Sequence, residues 1–387
     1  MLGVCACIVL FSSCGDDGHF ARDIERPVIT LVGTNQVSQP QNTPYVDMGV
    51  TAVDNVDGDI TSAIITTNPV NVAAVGAYTV TYDVSDAAGN PAVPVTRMVN
   101  VSAPGMWTPS VSGTSSLLTD VAWSGTQFVV VGDAGTILTS PDGVAWTTRV
   151  SGTPHLLTGV AWSGTRFVAV GGSFSTAGTI LTSPDGITWT PQVSGVTNRL
   201  DGVTWGGTQF VAVGGPAVQG NPAIILTSPD GTTWTPRVPS TVNQLLRLTW
   251  SGTQFVAVGQ IGTVMTSPDG ITWTPQVSGA VASLNSVTWN GTQFVAVEAA
   301  GLIFTSPNAI TWTQQVSGTD LRLYGVTWSG AQYVVVGNEG AILTSPNGIS
   351  WTPAVSGTTN ALIGVGWSAE RSLFVAVGAA GTILTRP

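Results

Sequence analysis

All fourteen tryptophans of the 387-residue chain belong to one repeated pattern. One series runs Trp123, Trp162, Trp205, Trp250, Trp289, Trp328 and Trp367, and the other Trp107, Trp146, Trp189, Trp234, Trp273, Trp312 and Trp351. The step from a residue of the second series to the next of the first is always 16; the return step is 23, except for 27 and 29 in two copies. Insertions therefore fall at one place in the unit. The unit reads L-x-G-V-x-W-S-G-T-Q-F-V-A-V-G-x-x-G-T-I-L-T-S-P-D-G-I-T-W-T-P-Q-V-S-G, four short apolar runs separated by turn residues.

A period of about 40 residues carrying four strand-like runs is the signature of a β-propeller blade rather than of a helical solenoid. Strand A is L-x-G-V-x-W, strand B F-V-A-V-G, strand C T-I-L-T-S and strand D W-T-P-Q-V-S. Ser-Gly or Gly-Gly suits a tight A to B hairpin. S-P-D-G suits a type I turn between C and D, because Pro presets φ and Gly accepts a positive φ at the end. The last copy reaches Pro387 with strands A, B and C only, whereas Trp107 and TPSVSG form a strand D without a blade. Pairing that N-terminal strand into the last blade completes a seventh sheet and covers an open edge. The expected fold class is all-β, a small β-sandwich at 27–103 followed by a seven-bladed propeller at 104–387.

Charged residues make up only 8% of the chain; 11 arginines and no lysine face 21 acids, for a net charge of −10. Binding to nucleic acid through counterion release is excluded on that balance. Cys5, Cys7 and Cys14 all precede the strand-bearing sequence, which therefore carries no disulfide. Leu2 to Phe11 is apolar but too short to span a bilayer, and it reads as an export signal. LFSSC resembles the lipobox of bacterial lipoproteins, with Phe11 where that family has Leu. The resemblance implies that residues 1–14 are a signal peptide and lipobox, that Cys14 is lipidated, and that 15–26 form a tether. The address expected is the cell envelope, outer membrane or cell surface, with lipid as the sole membrane attachment.

Between Pro27 and Ala103 short strand-like runs alternate with turn signals; in Thr79 to Ser85, Val80, Tyr82 and Val84 alternate with polar residues. DNVDGDIT at 54–61, VGAYTVTY at 75–82 and DAAGN at 86–90 resemble bacterial surface-protein Ig-like domains, which implies a stalk or spacer. Asp54, Asp57, Asp59 and Asp86 form the densest set of hard oxygen ligands in the chain. That chemistry suits calcium, the one cofactor to be considered, although Asp is also a good turn residue.

S-P-D-G-x-x-W resembles the Asp-box of sialidase-like propellers, one residue shorter, and the full repeat resembles the propellers of the photosystem II assembly factor group. The resemblance covers 104–387 and implies a structural role for Asp142, Asp185, Asp230 and Asp269, with Asn308 and Asn347 replacing Asp in two copies. A ligand-specific residue should then lie where copies differ. The resemblance implies that the insertions Gly172 to Ala177 and Gly215 to Pro222 and the starts of strand A share one face, giving Phe174, Arg199, Asp201, Gln219, Asn221, Arg247, Arg322 and Tyr324 as candidate ligand-binding residues. A glycan-cleaving reading has Glu298 and Glu339 as its best acid pair, with Arg199, Arg247 and Arg322 as the cations, but no motif places them together. Non-catalytic binding of a glycan or an envelope or extracellular protein by a monomer, on an Ig-like spacer, is the function expected. An assembly factor for a membrane complex is the further alternative.

Overall fold

The computed structural model describes residues 23–42, 44–102, 105–173, 177–215, 220 and 222–387, and it is almost wholly β. Cys14, Phe174, Gln219 and Asn221 lie outside the described residues. No described helix is long and apolar enough to cross a membrane.

The N-terminal sandwich has a three-stranded sheet in the order Val28–Leu31, Val50–Asp54, Gly58–Asp59, and a four-stranded sheet in the order Gln36–Pro40, Val95–Ser102, Gly76–Asp83, Ile65–Thr67. The alternation read in the sequence is obeyed, with Val80, Tyr82 and Val84 buried. One cation is buried among these apolar residues. Arg97 pairs with Asp47 and donates to the carbonyls of Val32, Thr34 and Gly49, so its charge and its donors are satisfied.

Seven four-stranded antiparallel sheets follow, each in the order A-B-C-D, as in Leu118–Trp123, Phe128–Gly132, Ile137–Ser140 and Thr147–Arg149 of the first. Strand B is buried along its length because both its faces are covered, and its residues are apolar or aromatic apart from Glu298 at the end of the fifth copy. Phe128 and Val130 pack against Val375 and Val377 of the seventh blade, while Val129 and Val131 pack against Val160 and Phe167 of the second. Strand D is the outer edge of each sheet, which is why it tolerates Pro at its second position, as Pro191 and Pro275 show.

The seventh sheet is completed from the other end of the propeller sequence. Thr108–Ser110 pairs antiparallel with Ile383–Arg386, Ile383 opposite Ser110 and Thr385 opposite Thr108. Trp107 anchors that strand among Val334, Val336, Leu362, Phe374 and Leu384.

The tryptophans do two jobs. Each first-series Trp packs on the aromatic residue at the first or second position of its own strand B, with ring centroids 4.4 Å apart for Trp123 and Phe128 and 4.7 Å for Trp205 and Phe210. Each second-series Trp that follows an S-P-D/N turn donates its indole N–H back to the turn, as from Trp189 to the Gly186 carbonyl at 2.9 Å. In those turns the acid works on its own backbone: Asp185 Oδ1 accepts the N–H groups of Ile187 and Thr188, and Asn308 and Asn347 do the same in their copies. Trp107 follows no such turn, and its indole nitrogen is buried without a hydrogen bond.

Candidate binding site at the propeller axis

Two faces are defined by hydrogen bonds between loops. B to C loops bond D to A connections, as Gly135 N–H to His155 and Gly262 N–H to Ala282, while the A to B turns of the first five blades reach the C to D turn of the next blade, as Gln209 to Asp269 and Arg166 to Asp230. Strand A starts on the first of these faces and lines the axis.

Every strand A carries a β-bulge immediately after its first Leu; in the third blade Leu200 opposes Gly214 and Gly202 opposes Val213, leaving Asp201 unpaired. A bulge turns its extra residue away from the regular pleat. Here that residue reaches the next blade: the Thr119 hydroxyl donates to the Leu157 carbonyl, Thr158 to Leu200, and the Asn285 amide to Leu323. Asp201 occupies the same position in the third blade. Its carboxylate instead receives Arg199 at 2.5 Å and the Gln244 amide at 2.6 Å, and Gln244 is held in turn by Gln260 at 2.9 Å. Burial pushes the Asp201 carboxyl above its ordinary range, opposed by Arg199, Gln244 and Arg247.

The residue after the bulge faces the axis. It is Gly159, Gly202, Gly325 and Gly364 in four blades because the strands crowd there: a Cβ on Gly364 would lie 2.8 Å from the Thr119 carbonyl oxygen. The other three blades place Asp120, Arg247 and Ser286 at this position, and all three line an axial cavity of about 130 Å³ with Tyr324. Arg247 extends across the axis, donating to the carbonyls of Asp201 and Leu246 in its own neighbourhood and of Thr158 at 2.8 Å on the second blade. Burial raises the Asp120 carboxyl, against the attraction of Arg247 and the N–H groups of Val160 and Val121. Beside the cavity the exposed Arg322 lies over the Tyr324 ring at 5.2 Å.

Of the expected residues, Arg199, Asp201 and Arg247 form one connected group, and Arg322 with Tyr324 forms a second. Asp120 and Gln244 belong to the first group without having been anticipated; aligning the copies by bulge register shows Asp120 in a column otherwise filled mainly by Gly. Glu298 is buried and its Oε1 accepts the N–H groups of Val281 and Ala282, which commits it to holding a D to A connection. Glu339 sits at φ 54° in a tight turn.

In the sandwich the acids divide. Asp54 and Asp57 come together with Asp23, a residue placed in the tether by sequence reading, so that one carboxylate oxygen of each lies within 4.8 Å of the others. Asp59 instead accepts from the Thr61 N–H, and Asp86 from the backbone and side chain of Asn90. Asn90 also donates to the Asp23 carbonyl at 3.2 Å, so the last residues of the expected tether are fixed to the sandwich.

Comparison with known proteins agrees with both halves. Residues 29–101 match the family model described as bacterial surface protein, Ig-like domain. No curated protein matches the chain. Among solved structures, YCF48 from Cyanidioschyzon merolae is similar with a TM-score of 0.59 at 16% identity, covering 73% of this chain and 98% of its own. YCF48 bound to D1 peptide has a TM-score of 0.58 at 17% identity, covering 74% and 97%. The WD40 β-propeller domain of Doa1 has a TM-score of 0.58 at 12% identity, covering 73% and 96%. At these identities the likeness is one of fold: the C-terminal part of the chain has the β-propeller fold and the N-terminal part is an Ig-like domain.

Proposed function

We propose that the chain is an exported, envelope-attached binding protein whose propeller takes a segment of a protein partner on the face where strand A begins, with the Ig-like domain as spacer. The observation that carries this reading is the Arg199, Asp201, Gln244 and Arg247 group at the axis. Burying Asp201 and stretching Arg247 across carbonyls costs desolvation energy, and the seventh blade does without such charges, carrying Ile363 and Gly364 at the same two positions. A polar group retained against that cost, with Arg247 sharing the axial cavity with Tyr324, suits recognition of a polar peptide. That a propeller of the same fold has been solved with a bound peptide supports the same choice. The surface-protein character of the Ig-like family supports export, and lipidation of Cys14 is the proposed means of attachment. In this reading the protein acts as a monomer, and assembly of an envelope complex is one use to which such a peptide site can be put.

The test is a selection of random 12-residue peptides against the full chain, run beside a glycan array. Peptides that bind saturably and lose affinity on Arg322→Glu support the reading. Glycan binding with no peptide selected replaces it with a carbohydrate-binding one.

A further inference from the structure

The geometry points to a divalent-cation site of the calcium type in the N-terminal sandwich, with Asp23, Asp54 and Asp57 as its carboxylate ligands. Proximity of three acids is only the first observation. The second is a buried oxygen with nothing to bond to. Asp54 is 4% exposed; its Oδ2 accepts the N–H groups of Val56 and Asp57, whereas its Oδ1 is buried without a hydrogen-bond partner. The Asp23 Oδ2 is in the same condition. An unsatisfied buried acceptor is costly, and carboxylates this close repel one another. Arg97, the buried cation of this sandwich, is already committed to Asp47 and to three carbonyls. A bound cation removes both costs at once.

The donor set selects the ion. All three ligands are carboxylate oxygens, with neither His nor Cys, which favours a hard cation over zinc or copper. Calcium bonds oxygen at about 2.3 to 2.6 Å, so ligands on opposite sides of it lie up to about 5 Å apart, whereas magnesium at about 2.0 to 2.1 Å would draw them to about 4 Å. Separations of no more than 4.8 Å lie within the reach of calcium. Three carboxylates supply between three and six oxygens, and water or carbonyl groups complete the shell. The Asp57 Oδ2 also accepts the Ala87 N–H at 2.7 Å, so an ion here would tie together the segment entering the domain, the turn after strand Val50–Asp54, and the 86–90 loop.

Titration of the chelator-treated full chain with calcium, followed by calorimetry and by native mass spectrometry for stoichiometry, tests the assignment. The expected result is one calcium per chain, a higher melting temperature with calcium than with magnesium, and at least a tenfold loss of affinity in Asp54→Asn, whose amide oxygen can still accept the turn N–H groups. Asp23→Asn, outside any strand, should lose affinity similarly, which separates ligand loss from misfolding, while Asp59→Asn should bind as the parent does. No binding at about 10 mM calcium by the folded parent overturns the site, and so does equal weakening by Asp59→Asn and Asp54→Asn.

Discussion

Replacing Trp107 with Ala tests whether the strand before the first blade holds the last one in place. Trp107 is 4% exposed and packs among seventh-blade residues Leu362, Phe374 and Leu384 and sixth-blade residues Val334 and Val336. Truncating a buried Trp to Ala costs about 3 to 5 kcal/mol through lost burial and the cavity left behind. The neighbouring Val111 is 71% exposed, so Val111→Ala should fall within about 0.5 kcal/mol of the parent. The indole N–H of Trp107 makes no hydrogen bond while that of Trp189 donates to Gly186, so Trp189→Phe should lose about 1 kcal/mol more than Trp107→Phe. Urea unfolding followed by tryptophan emission reads all four, since thirteen tryptophans remain in each Trp variant. Trp107→Ala should also raise the tendency to dimerise or aggregate, because a loosened strand exposes the edge of Ile383–Arg386. If Trp107→Ala and Val111→Ala unfold at the same urea concentration, the N-terminal strand is not holding the seventh blade and the reasoning fails.

Arg247→Met should destabilise the propeller by about 3 kcal/mol, since it leaves Asp120 desolvated without its countercharge, and Asp120→Asn should recover at least about 1 kcal/mol of that in a double-mutant cycle; strict additivity refutes the coupling. The turn carboxylates of Asp185, Asp230 and Asp269 are held below their ordinary range, chiefly by the N–H groups of Thr188, Thr233 and Thr272. Their folded pKa lies below the unfolded value, so the stability they add is present above about pH 4 and disappears as the pH falls through the depressed values. The triple Asp→Asn variant should therefore show a smaller drop in melting temperature between pH 7 and pH 3 than the parent, and an unchanged drop counts against the assignment. Ile261 is β-branched, 64% exposed and at φ 53°, so Ile261→Gly should raise stability by about 0.5 to 1 kcal/mol, whereas Ile271→Gly, at ordinary φ, should lower it.

What was legible in the sequence was what repeats. Trp spacing, S-P-D-G turns and the orphan strand D are local patterns copied several times, and the sheets and the pairing of Thr108–Ser110 with Ile383–Arg386 follow from them. The site was legible only in part. Arg199, Asp201, Arg247, Arg322 and Tyr324 stand out because they break the repeat, but the bulge that aims Asp201 at Gln244 is a property of register between strands A and B and leaves no mark on composition. Asp120 replaces the Gly of L-x-G-V-x-W three residues before Trp123, and what the sequence does not show is that this position lines the axis. Asp23 was hidden by distance, since the strands Val28–Leu31 and Gln36–Pro40 lie between it and the strand that ends at Asp54, whereas Asp59, close in sequence, turns to Thr61.

The most direct test of the account is the affinity of a selected peptide for the full chain carrying Arg322→Ala with Tyr324→Ala, measured beside Thr126→Ala in an A to B turn on the opposite face. The account predicts at least a tenfold loss for the double variant and parental affinity for Thr126→Ala. Equal affinities for all three proteins would contradict it, because the peptide would then be bound away from the axis where strand A begins.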